Sequence, residues 1–544
     1  MSIPSTAHRH RTLGGSRFPC LLLLASLSTL PAAAQPTPDG SPFVLGGVGL
    51  AAFERPRVAS SPGGEVVALW VGECPELAVC ARTWDALGSP VAGPLPLPIP
   101  VEELEEVPAL AAVAGGGFWV AWSRPELGFA REVVMRRFAA SGAALGLERV
   151  VASEAGQVLA APALGVDAGG APVAAFERRR FEGEVGGQPV TVGVEVRARR
   201  FAADGAAIGD PFRVDAADGE LVAAPAIAVA PGGGFLVAWE SFGFDADEDD
   251  VLARRFAPGP DGGAIPAGPP VQTHPSGAGR QVAPAAAASA EGTFLVAWEG
   301  PEGGGRRVFA QVYGVGGALW PAPFGLGVAV ADQRRPAAAG GEGAFVVAWE
   351  DGREGGSLFA QRRDAEGDPL EGGFRVDAGG GVPLAPAVAA LPGAGAEGGL
   401  FAAWSERLPD FSRRVLGRRY AGTVPPPEPC VPAATALCLG PGGRFRVTAA
   451  WATAAGDAGS GSTRPLTADT GTFWFFDATN LELVVKVLAA CPVNGRHWVF
   501  AAGLTDVAVT LTVDDTATGA RRTYTNPQST AFQPIQDTAA FGCP

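Results

Sequence analysis

Lysine is almost missing: the 544 residues hold one, Lys486, against 40 arginines, and histidine numbers four. The arginine bias is what GC-rich codon usage produces. Beyond the first 34 residues only His274 and His497 remain, and no Gly-x-Ser-x-Gly occurs. A nucleophile–histidine hydrolase therefore has nothing to be built from. No Cys-x-x-Cys pair is present, which argues against a zinc site. No box of the Ser-x-Asp-x-Gly-x-x-Trp type appears. The longest apolar run, Leu21–Leu30, is too short for a membrane-spanning helix, which needs about 20 residues. A basic excess is missing too. The formal charge of −15 becomes −18 without Arg9, Arg11 and Arg17, which excludes a nucleic-acid partner.

Those three arginines, the Leu21–Leu30 run and Pro31-Ala32-Ala33-Ala34-Gln35 form a secretory signal over residues 1–34, cut after Ala34. Cys20 precedes the apolar run, which excludes a lipoprotein acceptor. Export without membrane insertion is expected, to an extracellular, cell-surface or periplasmic location. Cysteine usage agrees with an oxidising compartment. Cys74, Cys80, Cys430, Cys438, Cys491 and Cys543 remain after cleavage, and six cysteines allow 15 pairings. Cys74 and Cys80 share one short loop far from the rest and are expected to pair, which contributes roughly 2 kcal/mol. For the others, Cys430–Cys438 and Cys491–Cys543 is the pairing favoured among those left open.

Glycine (77) and proline (49) are abundant but periodic, so they mark turns between short strands. Gly233-Gly234-Phe235-Leu236-Val237-Ala238-Trp239-Glu240 recurs as Gly292–Glu299 and Gly343–Glu350. Looser copies end at Trp70, Trp122, Phe176 and Trp404. The intervals from Trp70 through Trp122, Phe176, Trp239, Trp298, Trp349 and Trp404 are 52, 54, 63, 59, 51 and 55 residues. A period above about 50 residues is propeller-like. Each unit contains an Ala-rich strand (Ala224–Val229), the Phe-x-Val-Ala-Trp strand, an arginine-bearing third strand (Val251–Phe256) and a fourth (Phe212–Asp215, Phe374–Asp377). Small residues suit a strand crowded at a central axis, and a strand apolar on both faces suits one sandwiched between blades.

The seventh unit lacks a fourth strand, while an orphan one, Gly40–Leu45, stands near the N-terminus. Supplying the missing strand from there would close a ring and remove two exposed edges. The expected fold is all-β: a seven-bladed β-propeller over residues 36–424, closed by an N-terminal strand, then a proline-rich linker at 425–429 and a β-sandwich domain at 430–544. In that tail, Arg444–Trp451, Thr472–Phe476, Leu481–Leu488, His497–Ala502, Val507–Val513 and Arg522–Thr525 read as strands. The segments Leu437–Leu439, Arg444–Val447, Phe473–Asp477, Asn480–Leu488, Asn494–Arg496 and Asp537–Phe541 resemble a recurrent C-terminal domain of secreted bacterial proteins. That resemblance implies domain boundaries and no activity. The Val-Ala-Trp repeats are more loosely similar to those of large secreted propeller-like proteins.

Several residues invite a functional reading. Glu177, Glu240, Glu299 and Glu350 follow the repeat aromatic and would form a ring of carboxylates at one mouth, or cap the hairpin turn. The turn-cap reading is preferred, because catalytic carboxylates must differ in environment and a repeated position offers no difference. The tryptophans are expected in inter-blade core. Asp245–Asp250 resembles a calcium loop but lacks its glycine and distal glutamate, so a solvated acidic loop is expected. Phe473–Phe476 with Trp498 would be sandwich core or a sugar-stacking face. No catalytic, cofactor or metal residues are assigned and no cofactor is expected. The resulting expectation is a non-enzymatic binding or scaffold protein that engages a polysaccharide or protein through a propeller face, with its oligomeric state open. A propeller-based glycan hydrolase or lyase is the alternative.

Overall fold

Each Phe-x-Val-Ala-Trp run is the second strand of an antiparallel meander. In the computed structural model, which describes residues 36–47, 55–185, 188–215, 221–242, 249–274, 279–314, 319–327, 332–352, 356–377, 380–393, 398–422, 430–494, 496–516 and 521–542, the fold is all-β and propeller-like. A representative unit runs Val282–Ala288, Phe294–Glu302, Gly305–Tyr313 and Leu319–Gly325, each strand paired with the next. The first hairpin of a unit closes on a glycine at positive φ. Gly233, for example, sits at φ 79°, where a side chain would be strained. Outer strands are less regular. In the unit holding Trp239 the fourth strand splits into Ala264–Pro266 and Val271–Gln272, because Pro266, Pro269 and Pro270 cannot donate to a ladder. In the Trp349 unit it shrinks to Phe374–Arg375.

The repeated aromatics are fully buried, and Nε1 of Trp70, Trp122, Trp239 and Trp404 makes no hydrogen bond. They act through packing, each against the preceding sheet. Trp122 packs with Leu69 and Val71, Trp239 with Ala175, Trp298 with Leu236, Trp349 with Leu295, and Trp404 with Val346. The cycle returns to its start: Trp70 shares a cluster with Phe401 and Ala403 from the last unit. First strands follow the same order. Arg57–Ser60, Ala109–Ala112, Val158–Val166, Leu221–Val229, Val282–Ala288, Gln333–Gly341 and Val382–Ala390 are successive neighbours, and the last again borders the first.

The strand Thr37–Gly47 pairs antiparallel with Arg413–Ala421, from Thr37 opposite Ala421 to Gly47 opposite Arg414. Gly47 also bridges Glu73 in the Trp70 unit. Phe43 packs between Trp84 and Phe401, with ring centroids 5.8 and 6.1 Å away, and Leu45 is buried. This strand thus covers an edge that would otherwise present free backbone groups. Val48, residues 1–34 and the 425–429 linker lie outside the described residues.

In the tail two sheets share one core. Leu437–Leu439, Phe445–Ala452, Ala508–Asp515 and Arg521–Asn526 form one. Ser462–Thr467, Thr470–Trp474, Leu483–Ala490, Arg496–Gly503 and Ile535–Gly542 form the other. Phe445, Val447 and Leu511 from the first meet Phe473, Val485, Val499 and Phe541 from the second. Cys74–Cys80 (S–S 2.07 Å) ties the turn between Val66–Glu73 and Leu77–Trp84, and Cys430 joins Cys438 (1.95 Å). Cys491 is also disulfide-bonded, whereas Cys543 lies outside the described residues. Among the described residues no helix is long and apolar enough to cross a membrane.

Removing residues 36–47 should destabilise the repeat region by uncovering Arg413–Ala421, and Leu45→Ala should cost about 2–5 kcal/mol. Urea unfolding of both variants checks this; unchanged midpoints would show that the strand packs without holding the ring.

Candidate functional site

The chemistry gathers where the first strands end. There five of the seven first strands are broken by a bulge at an X-Pro step, seen in Ala161-Pro162, Ala224-Pro225, Ala283-Pro284, Arg335-Pro336 and Ala385-Pro386. The residue before proline sits at φ 48°, 51°, 56°, 51° and 51° respectively. A left-handed backbone costs a non-glycine residue roughly 1–2 kcal/mol. It also turns the N–H out of its own sheet, and a glutamate of the preceding unit accepts it. Ala224 donates to Glu177 (2.9 Å), Ala283 to Glu240 (2.7 Å), Arg335 to Glu299 (2.7 Å) and Ala385 to Glu350 (2.6 Å).

These glutamates therefore do not cap their own hairpins, which corrects the preferred sequence reading. They clasp one sheet to the next. The Trp122 unit has Ser123 in the glutamate position, as the Trp70 and Trp404 units have Val71 and Ser405, and the Ala161 N–H favours the charged form of Glu106, which stands just before the first strand of the Trp122 unit.

The clasps surround the mouth of a cavity of about 480 Å³, whose lining includes the first strand of every unit. Charged residues in it are Arg55, Arg57, Glu106, Glu240 and Arg335. Here the repeat loses its symmetry. Glu177 pairs with Arg179 (2.9 Å), Glu299 with Arg306 (3.1 Å) and Glu350 with Arg335 (3.0 Å). Glu106 and Glu240 form no ion pair within 4 Å among the described residues. Burial pushes the carboxyl of each above its ordinary range. Arg57 opposes this more weakly at Glu106, and the Ala283 N–H does so at Glu240. Burial likewise works against the Arg57 guanidinium, whose Nε lies out of solvent with no hydrogen-bond partner.

Other singled-out residues do not converge here. Asp249 pairs with Arg280 (2.5 Å) and Asp250 with His274 (3.2 Å), tying a third strand to the segment that follows it. Residues 245–248 lie outside the described residues. His497 packs at a tilt against Phe445 in the tail, far along the chain from His274. Phe473 and Phe475 are core, while Phe476 is exposed and Trp498 half-buried, its Nε1 donating to Asn494 (3.0 Å). Sequence reading missed Arg55, Arg57, Glu106 and Arg335. Their signal was a departure from the repeat: Arg55-Pro56-Arg57 and Arg335-Pro336-Ala337 stand where other units have Ala-Pro-Ala.

No family model matches the chain, and no curated protein matches it. Among solved structures it is similar to a protein of unknown function from Dyadobacter fermentans (11% identity, 58% of this chain and 94% of that one, TM-score 0.41). It is also similar to an α-L-arabinanase from Penicillium chrysogenum (12%, 70% and 98%, TM-score 0.37) and to an ulvan lyase (10%, 72% and 96%, TM-score 0.43). Likeness this distant concerns the fold alone. The expectation of a non-enzymatic binding or scaffold protein is nonetheless corrected. Its premise of equivalent carboxylates fails, since Glu106 and Glu240 differ from Glu177, Glu299 and Glu350 in partner and charge environment.

Glu177→Ala leaves the Ala224 N–H unanswered and should cost about 1–3 kcal/mol, while Glu177→Gln, which keeps an acceptor oxygen, should cost less. Urea denaturation of the two variants checks the order.

Proposed function

We propose that the chain is an exported glycan-active enzyme, a hydrolase or lyase, whose active site is the cavity mouth bearing Glu106 and Glu240. The scaffold in this reading is a seven-bladed β-propeller closed by Thr37–Gly47, followed by a β-sandwich that serves as accessory module. The cyclic order of first strands and core clusters supports the ring, and the disulfides suit an oxidising destination. The C-terminal resemblance to domains of secreted bacterial proteins agrees with export.

One observation carries the enzymatic reading: of the glutamates at the bulges, only Glu106 and Glu240 form no arginine ion pair within 4 Å among the described residues, and both line the cavity. A carboxyl that burial keeps protonated toward higher pH can give its proton to a leaving oxygen, and once ionised it can take one back. Glu240 is held by the Ala283 N–H through Oε1, which leaves its other oxygen for substrate, and the Ala161 N–H favours the charged form of Glu106. If the reaction is an elimination, the arginines of the same cavity stabilise the negative charge that develops on the sugar as its proton is taken.

Glu106→Gln and Glu240→Gln should each lower cleavage by about 10²-fold or more, scored on a polysaccharide panel by reducing ends for hydrolysis and by unsaturated products for elimination. Cleavage that survives both substitutions, with the fold intact, would overturn the assignment of this site. The raised carboxyls also set a pH dependence. Their folded forms bind protons more tightly than the unfolded chain, so stability falls as pH rises from the ordinary glutamate value through the raised one. The Glu106→Gln, Glu240→Gln double variant should show a flatter decline by thermal unfolding across that window.

A further inference from the structure

The first strands crowd one cavity, and most units meet that crowding with Ala-Pro-Ala at the bulge. The Trp70 unit places arginine at both alanine positions, as Arg55 and Arg57, and the Trp349 unit places Arg335 at one. Three long cationic side chains therefore share with Glu106 and Glu240 a space otherwise lined by aliphatic side chains and proline rings, on a chain whose net charge is −15.

Their partners do not account for them. Arg335 is engaged by Glu350. Arg55 and Arg57 form no ion pair within 4 Å among the described residues, and Arg57 Nε is buried without an acceptor. Removal from water and the charge of Arg335 disfavour the Arg55 cation, Glu350, Glu299 and Glu240 favour it more weakly, and the residue is exposed toward solvent. Glu106 attracts Arg57 from beyond ion-pair distance, so it leaves the Arg57 Nε–H without an acceptor. A guanidinium does not escape by losing its proton, and a buried donor left unmet costs free energy. What satisfies it is an oxyanion, which the planar fork grips in bidentate fashion.

We infer that the cavity mouth binds an anionic sugar unit, its carboxylate or sulfate ester gripped by Arg55 and Arg57, with Arg335 as a third positive wall. This rests on the reading of the mouth as a glycan-active site and names the substrate class: an acidic polysaccharide rather than a neutral one. Glu106 and Glu240 then lie within the same cavity as the captured unit. A cavity of about 480 Å³ is within the size range of small-ligand pockets.

The test is titration calorimetry on the full chain carrying Glu106→Gln and Glu240→Gln, so that cleavage does not interfere. Oligogalacturonate serves as the uronate probe, a carrageenan oligosaccharide as the sulfate probe and an arabinan oligosaccharide as the neutral probe. One acidic probe should bind, weaken as NaCl rises, and lose roughly tenfold or more in affinity on adding Arg55→Gln or Arg57→Gln. Which acidic probe binds identifies the anion. Because those substitutions could disturb the mouth, the same probe is also displaced from the chain with arginines intact by inorganic sulfate, where competition is expected. Binding of the neutral probe alone, or acidic binding indifferent to both arginine substitutions and to sulfate, would overturn the inference. Failure of the enzymatic reading looks different: acidic binding through the arginines with no cleavage of any glycan by the unsubstituted chain. Glutamate-dependent cleavage of a neutral glycan that ignores the arginines would leave that reading standing and sink this one.

Discussion

A first strand that bulges at an X-Pro step aims one backbone N–H away from its own ladder, and the neighbouring sheet has to answer it. Much of the organisation around the cavity follows from that demand. The left-handed residue is tolerable only while an acceptor holds its N–H, so the units whose first strand bulges at Ala224, Ala283, Arg335 and Ala385 depend on a carboxylate from the one before. Tryptophan packing presses the same pairs of sheets together, and the clasp adds a directional hydrogen bond at the mouth end. A structural requirement thereby brings carboxylates to the axis in every unit that has one to offer.

What separates structure from chemistry is then the availability of arginine. Where Arg179, Arg306 or Arg335 sits within ion-pair distance, the glutamate is a neutralised strut. Where it does not, as at Glu106 and Glu240, the same clasp leaves a carboxyl whose charge is poorly supported. The irregular units supply this difference. Ser123 replaces a glutamate and Glu106, from another segment, has its charged form favoured by the Ala161 N–H, while Arg55 and Arg57 come from the unit nearest the N-terminus. An environment that differs from one carboxylate to the next is the condition under which paired acids take distinct roles.

A related device operates at the outer edge and explains the Phe-Arg-Val-Asp segments. Asp215 accepts the Val196 N–H (2.8 Å) and Asp377 the Leu358 N–H (2.6 Å), each also paired with the arginine two residues earlier. A short fourth strand is in this way pinned to the third by a buried carboxylate. In the tail no such repeated polar tie recurs. There alternate apolar residues from two sheets meet in one core, and the half-buried Trp498 and Phe500 lie side by side on the strand Arg496–Gly503.

The aromatic spacing, the Ala-rich strands and the Phe-x-Val-Ala-Trp runs were legible in the chain because they are local: period-two burial and turn glycines act within a few residues. The pairing of Thr37–Gly47 with Arg413–Ala421 was legible for a related reason, since an orphan strand and a missing one are both visible in the text. The tail strands Ser462–Thr467 and Ile535–Gly542 were not, because their polar and small residues carry no alternation to read. The site was the least legible. That Glu240 and Glu106 reach across to the next sheet, and that Arg179 or Arg306 neutralises one glutamate and spares another, depends on which side chains a cyclic packing brings within about 4 Å. Separation in sequence says nothing of that. Repetition determined the scaffold, and the departures from repetition, once folded to one cavity, decided where its chemistry lies.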